Sequence, residues 1–356
     1  MADIELDQHL ENLCGRRLGE FELRERFDEG GFGVIYRCAQ PLLEREAVVK
    51  VLRQRMRRDD VALQRFAREA FLAARLDHPY AVHVYAFGIE EDGLVWIAME
   101  MVHGVSLARW LTEHGPMTLD QFVPIFEHVA QVVQAAHERG IVHRDLKPSN
   151  MMVVKCPGEL LPKLLDFGVA RLVGDAALPS PPPSPSGAPV EGASQPGDPE
   201  RTVPLRPRGA GAPSVVRGRL TRLTPSSAAV GSPPYMAPEQ WIDPLKVGPA
   251  SDLYALGVVA YEALTGHRPF YAKTAEEYGA VHQNAPVPPV GAGLPPALDQ
   301  VFARALAKRP EDRFRGALEL AAALRAVADG TLVAQIRSAA KQWHERGRPT
   351  GLLWRD

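Results

Sequence analysis

His143-Arg144-Asp145-Leu146-Lys147-Pro148-Ser149-Asn150, followed one short strand-turn later by Asp166-Phe167-Gly168, decides how the remaining sequence is read. Two carboxylates and an amide, separated by a β-hairpin's worth of chain, can converge on three tasks. Asp145 can orient and deprotonate an attacking hydroxyl, Asn150 and Asp166 can hold metal ions, and Lys147 can neutralise a transferring phosphate. Either piece alone is commonplace, since a His-Arg-Asp is most often a solvated turn and an Asp-Phe-Gly a strand ending at a tight turn. The joint spacing is what points to a phosphoryl-transfer centre.

Upstream, Phe21 to Arg37 alternates as two strands around Asp28-Glu29-Gly30-Gly31-Phe32-Gly33. Glycines there let backbone amides close over phosphates. The same turn also fits an ordinary hairpin, but not a dinucleotide fold, because Val34-Ile35-Tyr36 continues as strand where that fold needs a helix. Ala47-Val48-Val49-Lys50-Val51 is a β-branched run holding one lysine, which is either a solvated edge residue or aimed at a buried anion. Val61 to Leu76 places Phe66, Ala70, Ala73 and Ala74 on one helical face, with Glu69 beside them as a surface carboxylate or as a partner for Lys50. Two further strand-like runs between Tyr80 and Val102 end at Met99-Glu100-Met101-Val102, which reads as a hinge. Helices over Leu107–Leu111 and Leu119–Arg139 lead back to the opening motif, the second stopping at Gly140.

Downstream, residues 175 to 213 hold eleven prolines, and no Phe, Trp or Tyr occurs between Phe167 and Tyr235. Such a segment buries too little to offset the entropy of ordering it, so residues 175–216 are expected to be a disordered insert with polyproline character. Arginines 201, 206, 208, 217, 219 and 222 make its second half basic, as a solvated linker or as a docking site for a partner. Order is expected to return at Gly231-Ser232-Pro233-Pro234-Tyr235-Met236-Ala237-Pro238-Glu239. An apolar helix then opens at Ser251-Asp252 and runs to about Leu264, with Asp252 placed to act as a helix cap. Further helices fit Leu298–Leu306, Ala317–Val327 and the amphipathic Thr331–Arg346.

The 46% hydrophobic and 24% charged composition belongs to a globular chain, and a net charge of −2 gives no general attraction to nucleic acid or anionic membrane. Cys14, Cys38 and Cys156 are far apart and in no metal-ligand spacing, as expected of reduced thiols in the cytoplasm. The acidic start, Met1 to Asp7, is unlike a secretory signal. The longest apolar run, Leu253 to Leu264, is too short for a bilayer, so no membrane anchor is expected.

Taken together, these motifs resemble the eukaryotic-type serine/threonine protein kinase family, and Gly-Gly-Phe-Gly and Met-Ala-Pro-Glu-Gln resemble its bacterial members. The resemblance implies an α+β bilobal fold: a lead-in over 1–20, a small β-rich N-lobe with one main helix over about 21–101, a larger, mostly helical C-lobe over about 102–328, and a helical tail over 329–356. It implies ATP and Mg²⁺, with Mn²⁺ as an alternative metal, and protein Ser/Thr hydroxyls as acceptors. Lys50 would contact the α and β phosphates with Glu69 as its partner, Asp145 would be the base, Lys147 the phosphate-neutralising lysine, and Asn150 and Asp166 the metal pair. Gly30, Gly31, Phe32, Gly33 and Ile35 would cover the nucleotide, whose adenine would meet Val48, Met99, Glu100 and Met101. Glu239 would pair with Arg313, and Asp252 would brace the catalytic loop. Arg144 would clamp a phosphate on Thr221, Thr224, Ser226 or Ser227. Asp28 stands where the family has its first glycine, and a carboxylate there repels phosphates unless it turns away. A scaffold that binds nucleotide without turnover and partners through the insert is the alternative function.

Overall fold

The computed structural model describes residues 12–29, 33–57, 59–166, 171–172, 231–243 and 247–330. The expected insert over 175–216, Thr221 to Ser227, and the tail helix from Thr331 lie outside these residues, as do Gly30, Gly31, Phe32, Phe167 and Gly168.

Six strands, β1 (Arg17–Leu18), β2 (Phe21–Glu29), β3 (Gly33–Gln40), β4 (Arg45–Leu52), β5 (Val84–Ile89) and β6 (Val95–Glu100), form one antiparallel sheet in the order β1-β2-β3-β4-β6-β5. The β-branched run of β4 therefore sits between β3 and β6, with Lys50 registered opposite Ile35 on one side and Ile97 on the other. Strand alternation sends Ala47, Val49 and Val51 to one face, where they pack with Leu18, Phe21, Leu23, Tyr36 and Trp96. Val48, Lys50 and Leu52 take the other face. Residues 12–20, read above as a lead-in, contribute to this lobe, since Leu13 and Leu18 are buried in the same cluster.

Helix α1 (Asp60–Ala74) lies against the second face and buries Phe66, Ala70 and Ala73, with Glu69 among them. The short strand β7 (Val105–Ser106) and helices α2 (Leu107–His114) and α3 (Leu119–Glu138) follow. Thr118 and Gln121 form a reciprocal capping box at the start of α3, and Gly140 ends it in a left-handed conformation, φ +73°. Strand β8 (Ile141–Val142) pairs with β11 (Arg171–Leu172), and the hairpin β9 (Met151–Cys156) and β10 (Glu159–Leu164) separates the two halves of the opening motif. The large lobe is completed by α4 (Pro238–Ile242), α5 (Pro249–Thr265), α6 (Ala275–Asn284), α7 (Ala297–Ala305) and α8 (Ala317–Ala328). Helix α5 is apolar nearly all round, and is accordingly buried nearly all round as the axis of this lobe. Among the described residues no helix is long and apolar enough to cross a membrane.

Glu239, at the start of α4, is joined to Arg313 by two parallel bonds of 2.7 Å each, and accepts a third bond of 2.7 Å from the Ser251 hydroxyl. The remaining Arg313 protons go to the carbonyls of Ala307, Ala250 and Lys308. Burial by itself raises the Glu239 pKa, and the bonds from Arg313 and Ser251 outweigh it, holding the carboxyl below its usual value. Breaking such a pair leaves a charge without its partner: Arg313→Met should cost roughly 3–5 kcal/mol in urea unfolding. Because the folded pKa is depressed, the unfolded chain takes up the proton first as pH falls. The contribution of Glu239 is thus present at neutral pH and lost as pH drops through the carboxylate range, and the deficit of the Arg313→Met protein relative to the unsubstituted one should shrink there.

Candidate active site

On β4 the central position settles which kind of lysine Lys50 is. Its ammonium lies 2.6 Å from Glu69 Oε1 and 3.5 Å from Asp166 Oδ2. Burial works against the Lys50 charge, but the Glu69 and Asp166 carboxylates outweigh it and hold the group protonated. The same burial pushes Glu69 up, against the pull of Lys50. Asp166 sits beyond the end of β10 with φ +56°, a left-handed backbone that a non-glycine residue adopts only where its surroundings impose it.

The loop from His143 to Lys147 is positioned by a carboxylate on a different helix. Asp252, fully enclosed in the first turn of α5, accepts the backbone N–H groups of His143 and Arg144 at 2.8 Å each, and its Oδ2 lies 2.7 Å from His137 Nε2 on α3. Burial raises the Asp252 pKa, while His137 and these amides together hold it below the usual range. Arg144, with φ +69°, is the second non-glycine residue of the site in the left-handed region. Its guanidinium reaches the Val247 carbonyl at 3.4 Å. Asn150 donates to the Asp145 carbonyl at 2.9 Å, closing the turn Pro148–Asn150. Lys147 Nζ is 2.7 Å from Asp145 Oδ2 and 2.8 Å from the Ser232 hydroxyl, which itself donates to Asp145 Oδ1 at 2.7 Å. Asp145, Lys147 and Ser232 therefore form a closed triangle.

Register also sorts the expected nucleotide contacts. Ile35 is opposite Lys50 and Val48 is opposite Met99, so Ile35, Val48, Lys50 and Met99 share one face of the sheet. Gly33 opens β3 where a Cβ would fall 2.7 Å from the Val51 carbonyl oxygen, leaving no room for a side chain. Glu100 pairs with Ala47 and so belongs to the other face. Its carboxylate is held by Lys163 at 2.7 Å, and its N–H bonds the His83 carbonyl at 2.9 Å, so its side chain is not turned to the face of Lys50. Met101 follows β6, half-buried. Asp28 is turned onto its own backbone, accepting the Glu29 N–H at 2.7 Å. Asp252 is not the cap of α5, a place taken by Gly248, and acts as the brace. Of the residues that organise the site, His137 escaped the sequence reading, because nothing local marks its pairing with a carboxylate 115 positions away.

The Protein kinase domain family model matches residues 21–181 and 217–321. The chain belongs to the protein kinase family. It is 33% identical to serine/threonine-protein kinase pkn3 of Myxococcus xanthus over 86% of this chain and 50% of that protein. It is 31% identical to serine/threonine-protein kinase PknH of Mycobacterium tuberculosis over 88% of this chain and 42% of that one. The chain thus spans half or less of the length of these curated relatives. The crystal structure of a cysteine-to-alanine mutant of the Mycobacterium tuberculosis PknI kinase domain superposes with a TM-score of 0.59 at 25% identity, covering 88% of this chain and 98% of that one. The two-lobed arrangement described above is the kinase fold.

The Asp145–Lys147–Ser232 triangle carries a prediction. A hydrogen bond to a charged group contributes about 1.5–3 kcal/mol, so Ser232→Ala should lower the rate of phosphoryl transfer to protein roughly tenfold or more. Ser232→Thr, which keeps the hydroxyl, should stay close to wild type in the same radiolabel-transfer assay.

Proposed function

We propose that the chain is an ATP- and Mg²⁺-dependent serine/threonine protein kinase that moves the γ-phosphoryl directly to a protein hydroxyl. The observation that carries this reading is a pair of polar sets, Lys50–Glu69–Asp166 and Asp145–Lys147–Ser232, joined through the Leu165 N–H beside Asp166, which bonds the Asn150 carbonyl at 2.8 Å. Asn150 and Asp166 offer oxygen donors of the kind Mg²⁺ prefers, and Mn²⁺ accepts the same set. A metal ion bound there would screen the phosphate charge. Lys50, kept cationic by its carboxylates, would hold the α and β phosphates. The face made by Ile35, Val48 and Met99 would cover the base, the Glu100 carbonyl and Met101 would meet its edge, and the turn Gly30–Gly33 would close over the phosphates.

In the transfer, the acceptor oxygen bonds to the γ-phosphorus as the bond to the β-phosphate oxygen breaks. The hydroxyl proton passes to Asp145, and Lys147 balances charge on the moving phosphoryl group. Asp28 directs its carboxylate to the Glu29 amide. We also assign autophosphorylation to Thr221, Thr224, Ser226 or Ser227, with Arg144 as the receiving cation, and partner docking to the Pro/Arg-rich insert. Three free thiols and ATP as donor support a cytoplasmic setting for this domain.

Purified chain with Mg-ATP should phosphorylate a generic basic protein such as myelin basic protein, and itself within residues 221–227 by mass spectrometry. Asp145→Asn should reduce transfer by about 10²-fold or more, and chelation of the metal should abolish it. Equal transfer by the wild-type and Asp145→Asn proteins would sink the assignment.

A further inference from the structure

Ser232 touches Asp145 and Lys147, and the residues that follow it, Pro233–Tyr235, form a single tight turn. Any chain that brings a hydroxyl to Asp145 must therefore pass beside this turn. Tyr235 of this turn packs on the cluster of Tyr254 and Phe270, and a buried polar group lies against the same two rings. His282 on α6 is 0% exposed, and its Nδ1 lies 2.8 Å from the hydroxyl of Tyr254 on α5, also 0% exposed. Phe270 and Tyr278 enclose the ring, with centroids 5.1 and 6.1 Å away.

The Tyr254–His282 contact admits either tautomer, and the neighbouring proline carbonyls favour the one in which Tyr254 donates. A tyrosine hydroxyl donating to Nδ1 leaves the hydrogen on Nε2, which is buried and makes no hydrogen bond of good geometry among the described residues. The carbonyls of Pro233 and Pro234 act on this ring and favour a donor there. Burial first, and the Lys308 charge second, lower the pKa to about 4, so the ring is neutral at physiological pH. Lys308 donates to the His282 carbonyl at 2.8 Å and lies 4.4 Å from the Phe270 ring centroid, and Arg313 lies over the Tyr254 ring at 4.8 Å. Nothing in the nucleotide or metal chemistry needs a histidine here, and an apolar residue would fill the space without burying a polar atom.

We propose that His282 is a positioning residue for the protein substrate, coupling Tyr254 to the Pro233-Pro234 turn and so setting the surface along which the acceptor chain lies. It governs affinity for the protein acceptor and leaves the nucleotide site untouched. This rests on the kinase reading above.

The test uses the full chain with Mg-ATP, myelin basic protein as acceptor, and ATP hydrolysis without acceptor. His282→Phe should raise KM for myelin basic protein about tenfold, the loss of one hydrogen bond's net contribution. KM for ATP and the hydrolysis rate should stay within about twofold of wild type. His282→Gln, whose amide can accept from Tyr254 and donate to a proline carbonyl, should restore most of the affinity. Tyr254→Phe should raise the same KM, and the double variant should add nothing further, because the two residues act as one unit. Unchanged KM for the protein acceptor in both single variants overturns the proposal. So do parallel losses of hydrolysis and transfer in both, since those report a general loss of structure. A wild-type chain that binds ATP yet phosphorylates no protein defeats the kinase reading, and this inference with it, and shows itself before any substitution is made.

Discussion

The carboxylate of Asp252 accepts the amides of two consecutive residues, His143 and Arg144, and faces His137 from a third element. Two adjacent amides can point at one carboxylate only if the backbone between them turns sharply, and Arg144 takes the left-handed conformation at that point. The strain is of the order of 1–3 kcal/mol, and the buried acceptor sustains it. Asp252 stands in the first turn of the most enclosed helix, so the catalytic loop inherits the rigidity of the lobe's axis. From that anchor Asp145 and Lys147 are placed against Ser232, and Asn150 closes the following turn on the Asp145 carbonyl. Apart from Leu146, buried in the core, the stretch His143–Asn150 is mostly polar, and the buried Asp252 anion is what gives its amides a fixed acceptor.

Fixing the second half of the site requires a bond between lobes. Leu164 gives its N–H to the Tyr80 carbonyl at 2.7 Å and accepts the Val82 N–H at 2.9 Å, while Lys163 next to it reaches across to Glu100. These contacts tie the end of β10 to the segment that leads into β5 and to Glu100 of β6, just before Asp166. Asp166 is therefore held by the large-lobe hairpin and by Lys50 of the small lobe together. Its left-handed backbone turns its carboxylate toward Lys50 as the chain leaves the hairpin.

Much of this was legible in the sequence because it is local or periodic. The period of β4, the glycines of the phosphate turn, the spacing of Asp145 to Asn150, and the apolar run of α5 each follow from residues a few positions apart. Lys50 could be read either way until its strand proved central, which no window of sequence decides. Helix α6 was missed, although Thr274 and Glu277 carry a reciprocal capping box, because its apolar face is interrupted by His282 and Gly279. That irregularity follows from its packing: Gly279 lets Trp241 approach to 3.1 Å of where a Cβ would be, and His282 meets Tyr254. Leu13 and Leu18 were passed over for the opposite reason, as isolated apolar residues in a polar stretch whose burial depends on Phe21 and Trp96.

The two sides of the catalytic centre are built from different physics. The side proposed for the nucleotide is a sheet face, where backbone register alone sets Ile35, Val48, Lys50 and Met99 together; most substitutions that keep the strand keep the arrangement. The acceptor side has no such lattice. Its turn of two prolines offers no N–H at Pro233 or Pro234, so it cannot be strapped by backbone bonds on that edge. It depends on side chains from distant elements: Ser232 to Asp145, Tyr235 to Glu262 at 2.7 Å, and the Tyr254–His282 pair beneath. The first side is thus set by backbone register, and the second by individual side-chain contacts between elements far apart in the chain.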